Sequence, residues 1–143
     1  MKRPFVNGNR AFIDTSALLR LLVNDDETKS RAVEKLIKES QRRGLTLYLP
    51  PIVILEIVWV LEKVYKYKRN KIREIVEAIL NTPELKCLDE NIFRNAIEIY
   101  EERNIKFADA VIGSWGLSHD LSIVYTFDEK DFRKITGLDV KKP

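Results

Sequence analysis

Four short β-rich runs in this 143-residue chain are each followed at once by a helical stretch, and this alternation limits the fold more than any other feature. Neighbouring parallel strands need a long crossover connection, usually a helix, so such alternation builds parallel sheets covered by helices. The runs are Phe12–Ile13, Leu45–Leu49, Leu85–Leu88 and Ser122–Phe127, with a last edge strand expected at Leu138–Val140. Apolar periodicity and punctuation predict helices over Ser16–Val23, Glu27–Arg43, Ile52–Lys66, Asn70–Leu80, Asp89–Arg103 and Lys106–Ser118, with a short one at Asp131–Ile135. No linker, repeat or low-complexity segment interrupts them. The expectation is one α/β domain over residues 1–143, a length that can bury a proper core.

Acids fall where such a fold keeps its chemistry. Asp14 ends the first apolar run, in Phe12-Ile13-Asp14-Thr15-Ser16, and Asp128 ends the last full one, in Thr126-Phe127-Asp128. Parallel strands present their carboxyl ends on one edge, and ligands of open α/β sheets bind outside that edge. Asp109 stands at a helix start, where free N–H groups and the helix dipole favour a carboxylate, so capping alone would account for it. Glu56 is the one charge between Ile52 and Leu61. Its neighbours three and four positions away are Ile52, Val53, Trp59 and Val60, so it is expected to need a cation or a lined cleft.

Four acids from four segments thus approach one rim. At an effective dielectric near 20, two charges about 5 Å apart repel by roughly 3 kcal/mol. A divalent cation would relieve this, and carboxylate ligands suit Mg²⁺ or Mn²⁺ rather than zinc. Without metal, replacing Asp14 by asparagine is expected to leave the protein equally or more stable.

Composition excludes several alternatives. No stretch approaches the roughly 18 apolar residues of a membrane helix, and the polar, basic start Met1–Arg10 has no apolar core of a secretory signal. The lone Cys87 excludes an internal disulfide and a Cys-rich zinc site, and the lone His119 excludes a two-histidine nuclease mechanism. Cytoplasm is the expected compartment. The net charge of +3 is mild, but Lys63, Lys66, Lys68, Arg69, Lys71 and Arg73 crowd one window with Tyr65 and Tyr67 between them. That window could attract phosphates or form a solvated helix end.

Together Phe12-Ile13-Asp14-Thr15-Ser16, Glu56 within Pro51–Ile57, Phe107-Ala108-Asp109-Ala110 and Thr126-Phe127-Asp128 resemble the PIN domain family, and most closely its VapC-type toxin ribonucleases. The resemblance covers nearly the whole chain. It implies a three-layer α/β/α sandwich with a parallel sheet of about five strands, and Mg²⁺- or Mn²⁺-dependent endonucleolytic cleavage of RNA. It also implies products with 5′-phosphate and 3′-hydroxyl ends, a homodimer and a protein antitoxin partner. Asp14, Glu56, Asp109 and Asp128 match its four acidic, metal-binding and catalytic positions. Ser16 and Thr126, with Lys66, Lys68 and Arg69 of the basic window, are the candidate substrate contacts. Asp131 falls one residue away from a position where some members carry a further acid, and stays outside the expected core site.

Two other classes compete. A haloacid-dehalogenase-type phosphatase or a response-regulator receiver also places Asp at a strand end with Mg²⁺. The first, however, wants a second Asp at the position of Ser16, and the second wants paired acids at the first strand. A non-catalytic relative that only binds RNA or an antitoxin is disfavoured by retention of all four acids. The apolar third helix, with Trp59, presents more apolar surface than one sheet needs, and is expected to meet a second copy or an antitoxin.

Overall fold

A computed structural model describes residues 10–143. The polar start preceding them, where no secretory signal was expected, lies outside the described residues. The elements run β1 (Arg10–Phe12), α1 (Thr15–Leu22), α2 (Glu27–Arg43), β2 (Thr46–Leu49), α3 (Pro51–Lys63) and α4 (Arg69–Leu80). They continue with β3 (Leu85–Cys87), α5 (Glu90–Arg103), α6 (Phe107–Ser118), β4 (Ile123–Tyr125), α7 (Glu129–Phe132) and β5 (Asp139–Lys141).

Local chemistry sets the boundaries. Asp26 caps α2 by accepting the Lys29 N–H at 3.0 Å, and Gly44 ends it in the left-handed region at φ 65°. Pro51 opens α3, where its missing N–H costs nothing. Asn104, also left-handed, closes α5.

All strand pairs are parallel, as alternation requires. β2 lies between β1 and β3, with Ala11 opposite Leu47 and Leu49 opposite Cys87. β4 pairs with β5, Val124 opposite Val140, and this pair is clamped by bonds from Thr126 N–H to Lys141 O and from Asp139 N–H to Ser122 O. The five strands therefore form a three-stranded and a two-stranded ladder rather than one hydrogen-bonded sheet. Most are three residues long, so each ladder holds few bonds, and the outer edges of β1 and β4 have no strand partner among the described residues.

The core joins both regions through helices. Leu47 and Leu49 of β2 pack with Ile54, Ile57 and Leu61 of α3, and Phe93, Ile97 and Tyr100 of α5 continue the cluster to Phe107 and Ala110 of α6. α6 is pinned from its far side at Gly113, where an added Cβ would lie 2.5 Å from the Ile135 Cδ1 atom and 3.2 Å from that of Leu138. Gly113→Val is expected to lower stability by about 1–3 kcal/mol through overpacking, read by chemical denaturation. Among the described residues no helix is long and apolar enough to cross a membrane.

Candidate active site

Asp14 stands two residues beyond β1, and its carboxylate is already engaged. Oδ1 accepts the Ser16 hydroxyl at 2.8 Å and the Ala17 N–H at 3.1 Å, so Asp14 itself is the N-cap of α1. These bonds hold its pKa below the ordinary carboxylate value. A repelled Asp14, relieved by asparagine in metal-free protein, is therefore not what the structure shows. Ser16 serves to orient Asp14, and neither Ser16 nor Thr15 is the cap.

Asp14 shares a cleft of about 480 Å³ with Phe12, Ser16, Pro50, Ile52 and Glu56. Glu56 is exposed and meets the expectation of a lined cleft, not of a cation partner, since no ion pair holds it among the described residues. α3 buries Val53, Ile54, Ile57, Val58 and Leu61, while Ile52 and Trp59 project outward beside Glu56. Of its apolar neighbours, Ile52 and Trp59 are thus surface residues, while Val53 is buried. Glu56 also lines a second cleft of about 570 Å³ with Leu55, Trp59, Lys63, Lys106 and Phe107.

The other two acids lie at the α6 end. Asp109, in the first turn of α6, is half-buried, and its Oδ2 is buried without any hydrogen-bond partner. Burial, then the neighbouring carboxylates of Asp131 and Asp128, push its pKa above the usual range. Asp128 reaches the Lys106 ammonium at 3.9 Å. Thr126 accepts the Asp128 N–H on its Oγ1 at 2.9 Å and so shapes the turn that presents Asp128.

Asp131 is the acid that sequence reasoning left out. It is 8% exposed and accepts the Lys106 N–H at 3.0 Å. The expected helix at Asp131–Ile135 begins earlier, at Glu129, which turns Asp131 and Phe132 inward against α6. Its one-residue offset from the family pattern hid it.

The acids are therefore two neighbourhoods, Asp14 with Glu56 and Asp109 with Asp128 and Asp131. Among the described residues no three acidic, histidine or cysteine side chains converge closely enough to enclose one ion. The donor chemistry still fits a hard cation. Asp109 offers an unpartnered buried oxygen, and Mg²⁺ keeps several waters while binding one or two carboxylates.

The basic window is largely consumed by structure. Arg69 donates from one guanidinium nitrogen to the carbonyls of Tyr100 at 2.7 Å and Ile105 at 2.8 Å, and stacks 4.2 Å from the Tyr100 ring centre. Arg73 pairs with Glu77, Glu101 and Glu102, Lys71 with Glu74, and Lys63 with Glu62. Within this window only Lys66 and Lys68 are exposed and without an ion pair to a described residue. Glu62 accepts the hydroxyl of fully buried Tyr100 at 2.5 Å. Burial and that bond push the Tyr100 pKa well above the usual tyrosine range. His119 ends α6, bonded to the Trp115 carbonyl, and takes no part in the acidic site.

This arrangement, with Asp14 and Asp128 following parallel strands, Asp109 in the first turn of α6 and Glu56 within α3, is that of a PIN-type domain. The chain belongs to the PIN domain family, whose profile matches residues 11–138. It is 35% identical over 99 residues to the VapC ribonuclease of Aquifex aeolicus (strain VF5), covering 69% of this chain and 73% of that protein. The crystal structure of VapBC2 from Rickettsia felis bound to a DNA fragment from their promoter is similar at a TM-score of 0.38. The identity there is 17%, over 93% of this chain and 98% of that one.

Proposed function

We propose that this protein is a VapC-type endoribonuclease that requires Mg²⁺ or Mn²⁺ and acts as the toxin of a toxin–antitoxin pair. The observation that carries the metal requirement is the buried, unpartnered Oδ2 of Asp109 beside two further carboxylates. The ribonuclease reading is supported by the likeness to the curated VapC ribonuclease. Asp14, Glu56, Asp109 and Asp128 would hold the metal, directly or through water, with Asp131 supporting Asp109. When bound, the metal supplies an activated water and charge stabilisation for phosphodiester hydrolysis. The chain's own contribution is to orient these acids. Ser16 and the Ala17 N–H fix Asp14, the Thr126 hydroxyl fixes the Asp128 turn, and the Lys106 N–H fixes Asp131.

Purified protein should cleave single-stranded RNA with added Mn²⁺ or Mg²⁺, lose that activity in excess EDTA, and regain it on metal addition. Cleavage that persists in EDTA would overturn the mechanism. A homodimer and a protein antitoxin encoded by an adjacent reading frame belong to the same proposal. Light scattering showing a strict monomer, with no binding of the neighbouring gene product, would remove both. Of the basic window, only Lys66 and Lys68 are offered as phosphate contacts. Replacing both by glutamine should weaken RNA binding and reduce its salt slope by about 1.4.

A further inference from the structure

Trp59 is left unexplained by the core, by the acidic site and by the hydrogen-bond network. It is 60% exposed on the uncovered side of α3, one turn beyond Glu56 and one turn before Lys63. All three line the 570 Å³ cleft, together with Lys106 and Phe107 from the start of α6. We propose that this cleft takes single-stranded RNA beside the scissile phosphate, with a nucleobase stacked on the Trp59 indole and the backbone held by Lys63 and Lys106. The inference rests on the ribonuclease reading above and names how that site would grip its substrate.

The chemistry of the cleft argues for this occupant. Its two cations stand at its rim, and both are already close to acids, Lys63 to Glu62 at 3.3 Å and Lys106 to Asp128 at 3.9 Å. Those acids have other attachments. Glu62 is bound by the Tyr100 hydroxyl, and Asp128 belongs to the proposed metal set. Phosphates can therefore take over part of the lysine charge without stranding a buried carboxylate. An exposed aromatic plane flanked by cations is the pattern by which proteins bind unpaired bases, since every base offers a π-face and every linkage a phosphate. A wholly apolar partner would leave Glu56, which has no ion pair among the described residues, facing it unpaired. The position also has reach. Glu56 lines this cleft and the Asp14 cleft alike, so a base on Trp59 lies one helical turn from Glu56, the acid the two clefts share.

The test uses the full chain carrying Trp115→Phe, which leaves Trp59 as its one tryptophan. Titrating in EDTA with a single-stranded oligoribonucleotide reads stacking without cleavage. Trp59 emission should be quenched by single-stranded RNA, and much less by a fully paired RNA duplex of the same length. Trp59→Ala should weaken binding by roughly 5- to 150-fold, and Trp59→Phe by only a few-fold. In steady-state cleavage the alanine variant should show a raised KM with little change in kcat. Quenching that is absent while cleavage proceeds overturns this inference and leaves the nuclease reading standing. Quenching without any metal-supported cleavage supports the stacking site and removes the nuclease reading. Emission that changes with protein concentration, or on adding the neighbouring gene product, but not with RNA, assigns the face to a protein contact and overturns the proposal.

Discussion

Asp109→Asn is expected to cut RNA cleavage by more than about 100-fold and, in EDTA, to make the protein more stable than the wild type. The sign follows from the raised pKa. Burial and the carboxylates of Asp131 and Asp128 make the native state bind a proton at Asp109 more readily than the unfolded chain does. Wild-type stability therefore falls as pH rises from the unperturbed value of 3.8 up through the raised native one. Asparagine carries no such charge, so its advantage should be absent in acid and appear above that window. Its size is on the order of 1 kcal/mol after solvent screening of a half-exposed group. Thermal melts of both proteins in EDTA across this range decide it. Added Mg²⁺ should close the gap, because binding to the native state stabilises the wild type selectively. Asp14→Asn should behave differently. Asp14 has a lowered pKa, so its stabilising bonds are present above the unperturbed value and are lost as pH falls through the native one. Asparagine can still cap α1, and no gain in EDTA is expected.

Arg69→Ala should produce the largest loss of stability of any surface-region charge change in the chain, on the order of 3 kcal/mol. The guanidinium joins the start of α4 to the last turn of α5 and to Ile105, the residue before the α6 entry that carries Asp109. Removing it orphans two carbonyls and uncovers the Tyr100 ring. Arg69→Lys should recover only a minor part, since a single ammonium cannot both reach two carbonyls and lie flat on the ring. If Arg69 served only to attract phosphate, lysine would restore function in full and the melting temperature would not move. Circular-dichroism melts of the two variants, read beside RNA affinity, separate these outcomes.

Much of this molecule could be read from its sequence wherever the cause was local. The span of α2 was legible to the residue because Gly44 and the Asp26–Glu27 start act within one turn. The acids Asp14, Glu56, Asp109 and Asp128 could be singled out as candidates because each lies next to a run of apolar residues with an obvious direction. What escaped was nonlocal. The Tyr100–Glu62 bond spans 38 residues and the two Arg69 bonds span 31 and 36, and no periodicity foretells such pairs. The exposure of Glu56 escaped for a related reason. An apolar helix looks buried all round until its neighbours in space are known, and α3 is covered on one side only.

The unoccupied margins of β1 and β4 bear on how this protein behaves in a concentrated solution. Each lacks a second strand neighbour among the described residues and is flanked by Phe12, at 74% exposure, and Tyr125, with Phe127, at 84%, just beyond β4. Such margins are templates for strand addition between molecules, and natural proteins commonly blunt them with charge or proline. Neither device stands at Ile123–Tyr125. Colloidal stability should accordingly be set by these few residues and not by the net charge of +3. A lysine in place of Phe127 is the single change that would most extend the shelf life of the purified protein.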